Sequence, residues 1–308
     1  MGAGAIAEAL EAYGVELTER AVRYHLEQLD QTGYTESLGR SGRRITDAGS
    51  REVAQAHVSD KVGLVFARLE ALAYMMDFDV ATGHGSLVIN ISHVPAKDAQ
   101  RALSVMRSAI ASRFCTSRRL LVLAPGERTG NHAIPEGMVG FGTVCSVTIN
   151  GILYSQGIPV RSTFGGLLAV ESYEPTRFVD LVNYGATSLD PLEIFIRSRR
   201  TSVGPAVARG AGIIGAGFRE FPAVAREHVT ELIDRAARWG VHGVLAIGGP
   251  SQPLTEAPVG LGRCGMVVAA GLNALAAVEE ARIITESQAM ETIVEYDALT
   301  DIDDAKIP

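Results

Sequence analysis

The chain has 308 residues, 47% apolar and 20% charged, with 35 acidic against 28 basic side chains. That content supports a sizeable core and two or three modest domains, and it excludes a protein that coats nucleic acid along its whole length. No run approaches the roughly 18 apolar residues of a membrane span, and the start, MGAGAIAEALEAYG, is acidic where a signal peptide is basic, so a globular cytoplasmic protein is expected.

The first elements read as a DNA reader. Ile6, Leu10 and Tyr13 fall at helical spacing before Gly14. Thr18 is placed to cap a second helix with the apolar stripe Val22, Leu26, Leu29, which Gly33 ends. Two helices joined by a short turn suggest a helix-turn-helix. The opposite face carries Arg20, Arg23, Tyr24 and Gln28, side chains able to meet phosphates and base edges. The next segment, YTESLGRSGRRITDAG, reads as a two-stranded wing with Arg40, Arg43 and Arg44 at or beside its turn and a cap at Thr46 or Asp47. The plainer reading is a solvated helix and loop, and residues 1–51 hold six basic against eight acidic side chains. From Thr46 to about Asp77 one long helix is expected, with Val58, Val62, Val65, Leu69, Leu72 and Met76 as a stripe for core, connector or dimer seam.

Beyond Gly83, short β-rich runs alternate with helices. Strands at 87–92 and 120–124 flank a helix marked by Ala99, Leu103, Met106, Ile110 and Phe114. The same order returns near 212–214, 225–236 and 243–249, and each copy leads to a V-G-x-G stretch, at 139–142 and 259–262. This duplication implies two related α/β lobes, about 83–200 and 205–296. The stretch is read as a glycine turn before a buried strand, and Cys145 corresponds to Gly265. A strand would turn Ser146, Thr148 and Asn150 to one side, where the second copy has Met266, Val268 and Ala270. Those polar groups suit a small-ligand cleft, with a solvated strand edge as the plainer alternative.

Arg161, Arg197, Arg199, Arg200 and Arg219 are candidates to hold carboxylates, although arginines on loops are commonly only solvated. The turn at Asp190-Pro191 needs no more than turn chemistry. Cys115, Cys145 and Cys264 lack metal or redox spacing and read as free thiols; Cys145 has no oriented histidine beside it in the motif, which favours burial over nucleophilic catalysis. There is no Walker loop, no H-E-x-x-H and no paired catalytic carboxylate, and the G-x-G precedes a strand-like run where a dinucleotide fingerprint needs a helix.

ERAVRYHLEQLDQTG with GRSGRRIT, then GTVCSVTINGIL, FGGLL, GATSLDPLEIFI, REFPAVARE and GGPSQPL resemble the NrpR family, nitrogen-responsive transcriptional repressors of archaea and some bacteria. The resemblance covers essentially the whole chain. It implies an α/β protein with a winged helix-turn-helix at 1–50, a connecting helix at 51–82 and a two-lobed ligand-binding regulatory domain at 83–308. It also implies a homodimer or higher oligomer that binds palindromic operators of nitrogen-assimilation genes, and release by 2-oxoglutarate. No cofactor, metal, membrane or catalysis is expected. By motif position Arg20, Arg23, Tyr24, Gln28, Arg40, Arg43 and Arg44 would meet DNA, while carboxylate chemistry selects Ser146, Thr148, Asn150, Arg161 and Arg219 for the effector. The family pattern has a further helix upstream of GAGAIAEAL and often valine at Met1, so a truncated or misassigned start is expected. Some relatives carry two regulatory domains in tandem, against one here. A metabolite-processing enzyme with an accessory winged helix, and a protein-binding adaptor, are the rival readings.

Overall fold

A computed structural model describes residues 2–11, 15–39, 42–55, 63–130 and 132–308. The chain divides into two compact units, Met1–Ala71 and Leu72–Pro308. The first contains α1 (Ala3–Glu11), α2 (Glu19–Gln31), the antiparallel wing β1 (Thr35–Ser37) and β2 (Arg43–Ile45), and α3 (Asp47–Gln55). Ala7, Val22 and Leu26 form its small core, packed by Ala3, Ile6, Leu10 and Leu17. Thr18 caps α2 by accepting the Ala21 N–H at 3.2 Å, and Thr46 takes the Gly49 N–H at 3.0 Å at the start of α3. Leu29, expected inside, is instead 40% exposed. Tyr13, Gly14, Arg40, Val58 and Val62 lie outside the described residues.

The single long helix expected from Thr46 is not formed. Helix α3 ends at Gln55, and α4 (Leu64–Met75) begins after Gly63, whose φ of +90° is left-handed and incompatible with a continuous α-helix. Leu69, Leu72 and Met76 keep the expected buried stripe.

The second unit is a duplicated α/β structure. Its first repeat is β3 (Ser86–Pro95), α5 (Ala99–Ile110), β4 (Arg119–Leu123), the short hairpin β5 (Arg128–Thr129) and β6 (His132–Ala133), β7 (Met138–Val144), α6 (Val147–Ser155) and β8 (Arg161–Glu171). Strand β9 (Glu174–Asn183), α7 (Pro191–Arg197) and α8 (Val203–Arg209) connect it to the second: β10 (Gly212–Pro222), α9 (Arg226–Arg238), β11 (Val244–Ile247), β12 (Arg263–Ala269), α10 (Asn273–Glu280) and β13 (Glu286–Glu295). Strand β14 (Thr300–Asp301) ends the chain's regular structure.

Two antiparallel sheets result, ordered β13-β3-β7-β4-β14 and β11-β12-β10-β8-β9. The last strand of each repeat therefore joins the sheet of the other: β8 lies against β10, and β13 against β3. This corrects the picture of lobes made of contiguous segments. The edge left open by β3 or β10 is covered by the exchanged strand, which removes an exposed ladder from each sheet. The helices follow the same crossing, α5 packing on α10 and α9 on α6.

The register also moves the internal match. Asn90 faces Thr143 where Gly217 faces Val268, and Ser92 faces Phe141 where Arg219 faces Met266. Gly140 is thus equivalent to Gly265, and Cys145 to Ala270 rather than Gly265. The two V-G-x-G stretches are not equivalent: one lies within β7, the other in the turn before β12. Glycines at 140 and 142 let β7 run close under Ile134, Leu123 and Leu121, contacts a Cβ would meet at 2.4, 3.1 and 2.9 Å.

Candidate functional site

On the N-terminal unit, Arg20, Arg23, Tyr24 and Gln28 are exposed on α2 at helical spacing, with Tyr24 59% accessible. Arg23 pairs with Glu19 and Arg44 with Glu36, both pairs exposed. Arg43 is different: half-buried, it holds Asp30 at 2.8 Å, and Asp30 also accepts the Thr35 hydroxyl at 2.6 Å. These two hydrogen bonds, that from Thr35 foremost, keep the Asp30 carboxyl below its usual range. Arg43 is therefore a brace between α2 and the wing, whereas Arg20 has an open approach.

In the second unit the run after β7 is a helix, not the strand expected. Residues Val147–Leu153 are all buried, so no amphipathic period betrays the helix. The change matters for the side chains. Ser146 and Asn150, four residues apart, come to one face, and Thr148 turns elsewhere. Thr148 donates to the Val88 carbonyl at 3.3 Å, as Asn273 of the other repeat donates to the equivalent Gly215 carbonyl at 2.9 Å. Thr148 is a helix-to-strand tie and does not share the face of Ser146 and Asn150.

Arg219 lies in β10, only 1% exposed, and reaches across to α6. Its Nε donates to Asn150 Oδ1 at 2.6 Å, and Nη2 donates to the Ser146 carbonyl at 3.1 Å and hydroxyl at 3.0 Å. Asn150 in turn donates to Ser162 Oγ of β8 at 2.9 Å. Nη1 has no hydrogen-bond partner. No carboxylate among the described residues pairs with this guanidinium, and burial lowers its pKa.

Nη1 lies over Gly217, where a Cβ would meet it at 2.8 Å. Gly217 faces Gly165 across the β10–β8 ladder, and a Cβ on Gly165 would meet Tyr184 Oη at 2.9 Å. Bare backbone is required at both positions. Close by, Asp190 caps α7 by accepting the Leu192 N–H at 2.8 Å; burial raises its pKa to about 7, so it is partly protonated near neutrality. Burial also pushes the Tyr184 phenol up, and the Cys145 thiol up to about 11. A thiol held protonated is a poor nucleophile.

Three of the five effector candidates, Ser146, Asn150 and Arg219, thus meet in one buried cluster. Arg161 does not join them: it is exposed at the start of β8, in register with Glu220. Arg197, Arg199 and Arg200 are exposed too. Ser162, Tyr184, Asp190 and the Gly165–Gly217 pair escape sequence reasoning, because strand exchange brings them in from distant positions. His132 of β6 is oriented by Glu291 at 3.1 Å and touches His93. The dinucleotide reading fails on different ground from that expected: a helix does follow β7, but the glycines lie inside the strand.

A family model described as NrpR regulatory domains NRD1 and 2 matches residues 62–301, and one described as ribonuclease R winged-helix domain matches residues 1–53. The chain is 35% identical to the global nitrogen regulator NrpRI of Methanosarcina mazei, over 98% of its own length and 93% of that protein's. It is 30% identical to the global nitrogen regulator NrpR of Methanococcus maripaludis, over 91% of this chain and 48% of the relative. The M. mazei protein is thus matched almost end to end, while the chain spans about half of the M. maripaludis one. A solved structure, of a nitrogen repressor-like protein from Methanococcus jannaschii, matches with a TM-score of 0.65 at 25% identity, covering 77% of this chain and 98% of that one.

Proposed function

Because the chain belongs to the NrpR family of nitrogen regulators, we propose that it is a dimeric repressor of nitrogen-assimilation genes that binds palindromic operator DNA and is released by 2-oxoglutarate. The family is regulatory, and the enzyme reading is set aside with it. The observation that carries the effector half is the Arg219 guanidinium, buried, paired with no carboxylate among the described residues and with Nη1 free of any hydrogen-bond partner. A buried cation of this kind is most stable with an anion, and guanidinium is the group that takes a carboxylate by two parallel hydrogen bonds. Ser146 supplies a hydroxyl that can exchange its hydrogen bond to Nη2 for one to the ligand.

The DNA half rests on the exposed face of α2. Arg20, Arg23, Tyr24 and Gln28 supply phosphate and base-edge contacts, Arg44 follows the backbone from the wing, and Arg43 fixes the wing's angle. Arg40, outside the described residues, retains its expected phosphate role. Dimerisation doubles the reader for a palindrome.

Release follows from linkage: an effector that favours the conformer unable to hold both half-sites lowers operator affinity, and operator must lower effector affinity by the same factor. Calorimetric titration of 2-oxoglutarate into the chain, alone and saturated with operator duplex, tests this. Weaker binding in the complex is expected; equal affinity would sink the mechanism.

A further inference from the structure

His93 on β3 and His132 on β6 meet through their Nε2 atoms at 2.7 Å, and their side chains are only 9% and 10% exposed. The far side of each ring faces a carboxylate. His132 Nδ1 lies 3.1 Å from Glu291 Oε1, and His93 Nδ1 lies 4.0 Å from Glu286 Oε2. His132 Nδ1, within hydrogen-bond reach of Glu291, carries the hydrogen, which leaves a lone pair on Nε2 of the neutral ring. His93 Nδ1, at 4.0 Å from Glu286, is beyond hydrogen-bond reach, so neutral His93 carries its hydrogen on Nε2 and donates it to that lone pair. The contact thus closes on a single Nε2 hydrogen, with both rings neutral.

The pair joins three elements. Glu291 lies where the β13–β3 register breaks, between Gln288 and Thr292. Within that break Met290 adopts a left-handed φ of +52°, costly for a side chain of this size. Side chains from three directions hold it: Glu193 of α7 accepts the Ala289 N–H at 2.6 Å, Asn90 of β3 accepts the Met290 N–H at 3.1 Å, and His132 of β6 meets Glu291. The hairpin also abuts β13 at its tip, where a Cβ on Gly130 would meet Thr292 Oγ1 at 2.8 Å.

We propose that His93 and His132 form a clasp, closed by one Nε2 hydrogen, that fastens the hairpin strands β5 and β6 to the irregular stretch of β13, and that charging both rings opens it. Two imidazoliums at this separation repel in a site with little water to screen them. Among the described residues, the charged groups acting on His93 are His132, Glu286 and Glu291; β7 pairs Gly140 with it, and Arg128 of β5 is exposed. Burial, and then His132, hold His93 below the usual imidazole range. The sign follows: a depressed folded pKa gives stability that is complete above the unfolded value of about 6.5 and is lost as pH falls.

The test uses the full chain. Imidazole nitrogen resonances of both histidines are followed by NMR from pH 8 to pH 5, with hydrogen exchange measured in 128–133 and 286–292. The clasp predicts protonated Nδ1 on His132 and protonated Nε2 on His93 at neutral pH, and about tenfold loss of protection in both segments at the acid end, after correction for intrinsic rates. His93→Gln should leave protection independent of pH, and Glu291→Gln gives a second test should that variant fail to fold. Two rings titrating independently near the ordinary value, or protection indifferent to pH, would overturn the proposal. So would a shift of both rings by stoichiometric zinc chloride at neutral pH, which would make the pair a metal seat.

Discussion

Replacing Arg219 and Asn150 with apolar side chains separates a ligand site from a structural network. Asn150 is equivalent to Leu275, and Arg219 to Ser92, which needs only a hydrogen bond to Ser287 at 2.8 Å. Asn150→Leu alone removes the acceptor of Arg219 Nε and the donor to Ser162, leaving a buried charge worse satisfied; a cost of about 3–5 kcal/mol is expected. Arg219→Met alone leaves Asn150 Oδ1 unpaired, at about 1–3 kcal/mol, offset by relief of a buried cation. The double variant removes charge and orphan together and should equal or exceed the parent by up to about 4 kcal/mol, as when buried ions yield to packed apolar groups. The cycle should therefore be non-additive by several kcal/mol. Urea unfolding of the four proteins measures it, and calorimetry with 2-oxoglutarate should find no binding to the double variant. A double variant less stable than either single, or one that still binds 2-oxoglutarate, refutes the reasoning.

Asp190→Asn keeps the cap oxygen of α7 but cannot titrate. The parent's raised folded pKa stabilises the protonated form, fully below about 4, and that contribution is lost as pH rises through about 7. The stability difference between parent and variant should change across that window; a constant difference would show the carboxyl to be unperturbed. Arg20→Ala should weaken operator binding and reduce the slope of log affinity against log salt by about 1. Arg43→Ala should also raise hydrogen exchange in 35–45, because its partner Asp30 bridges α2 to the wing; unchanged exchange there would return Arg43 to a plain phosphate contact. Cys145→Ala should retain an effector response, and losing it without unfolding would reopen covalent chemistry at that thiol.

The N-terminal unit was legible in the sequence because its signals are local: Thr18 and Thr46 cap, and Val22 and Leu26 mark the buried face. The duplication was legible as an order of elements, but its alignment was not, since glycines in a strand and glycines in a turn look alike in one dimension. Helix α6 resembled a strand because it is buried all round. Ser146 and Asn150 were selected for their chemistry, and the strand argument that grouped them with Thr148 was wrong. Ser162 joins Asn150 and Arg219 through the pairing of β8 with β10, which no local pattern encodes.

The most direct test of the account is fluorescence anisotropy of a labelled operator fragment titrated with the full chain, with and without millimolar 2-oxoglutarate. Specific binding that 2-oxoglutarate relieves, and that it no longer relieves in the Arg219→Met/Asn150→Leu variant, is the predicted result. Specific binding indifferent to 2-oxoglutarate in the parent would contradict it.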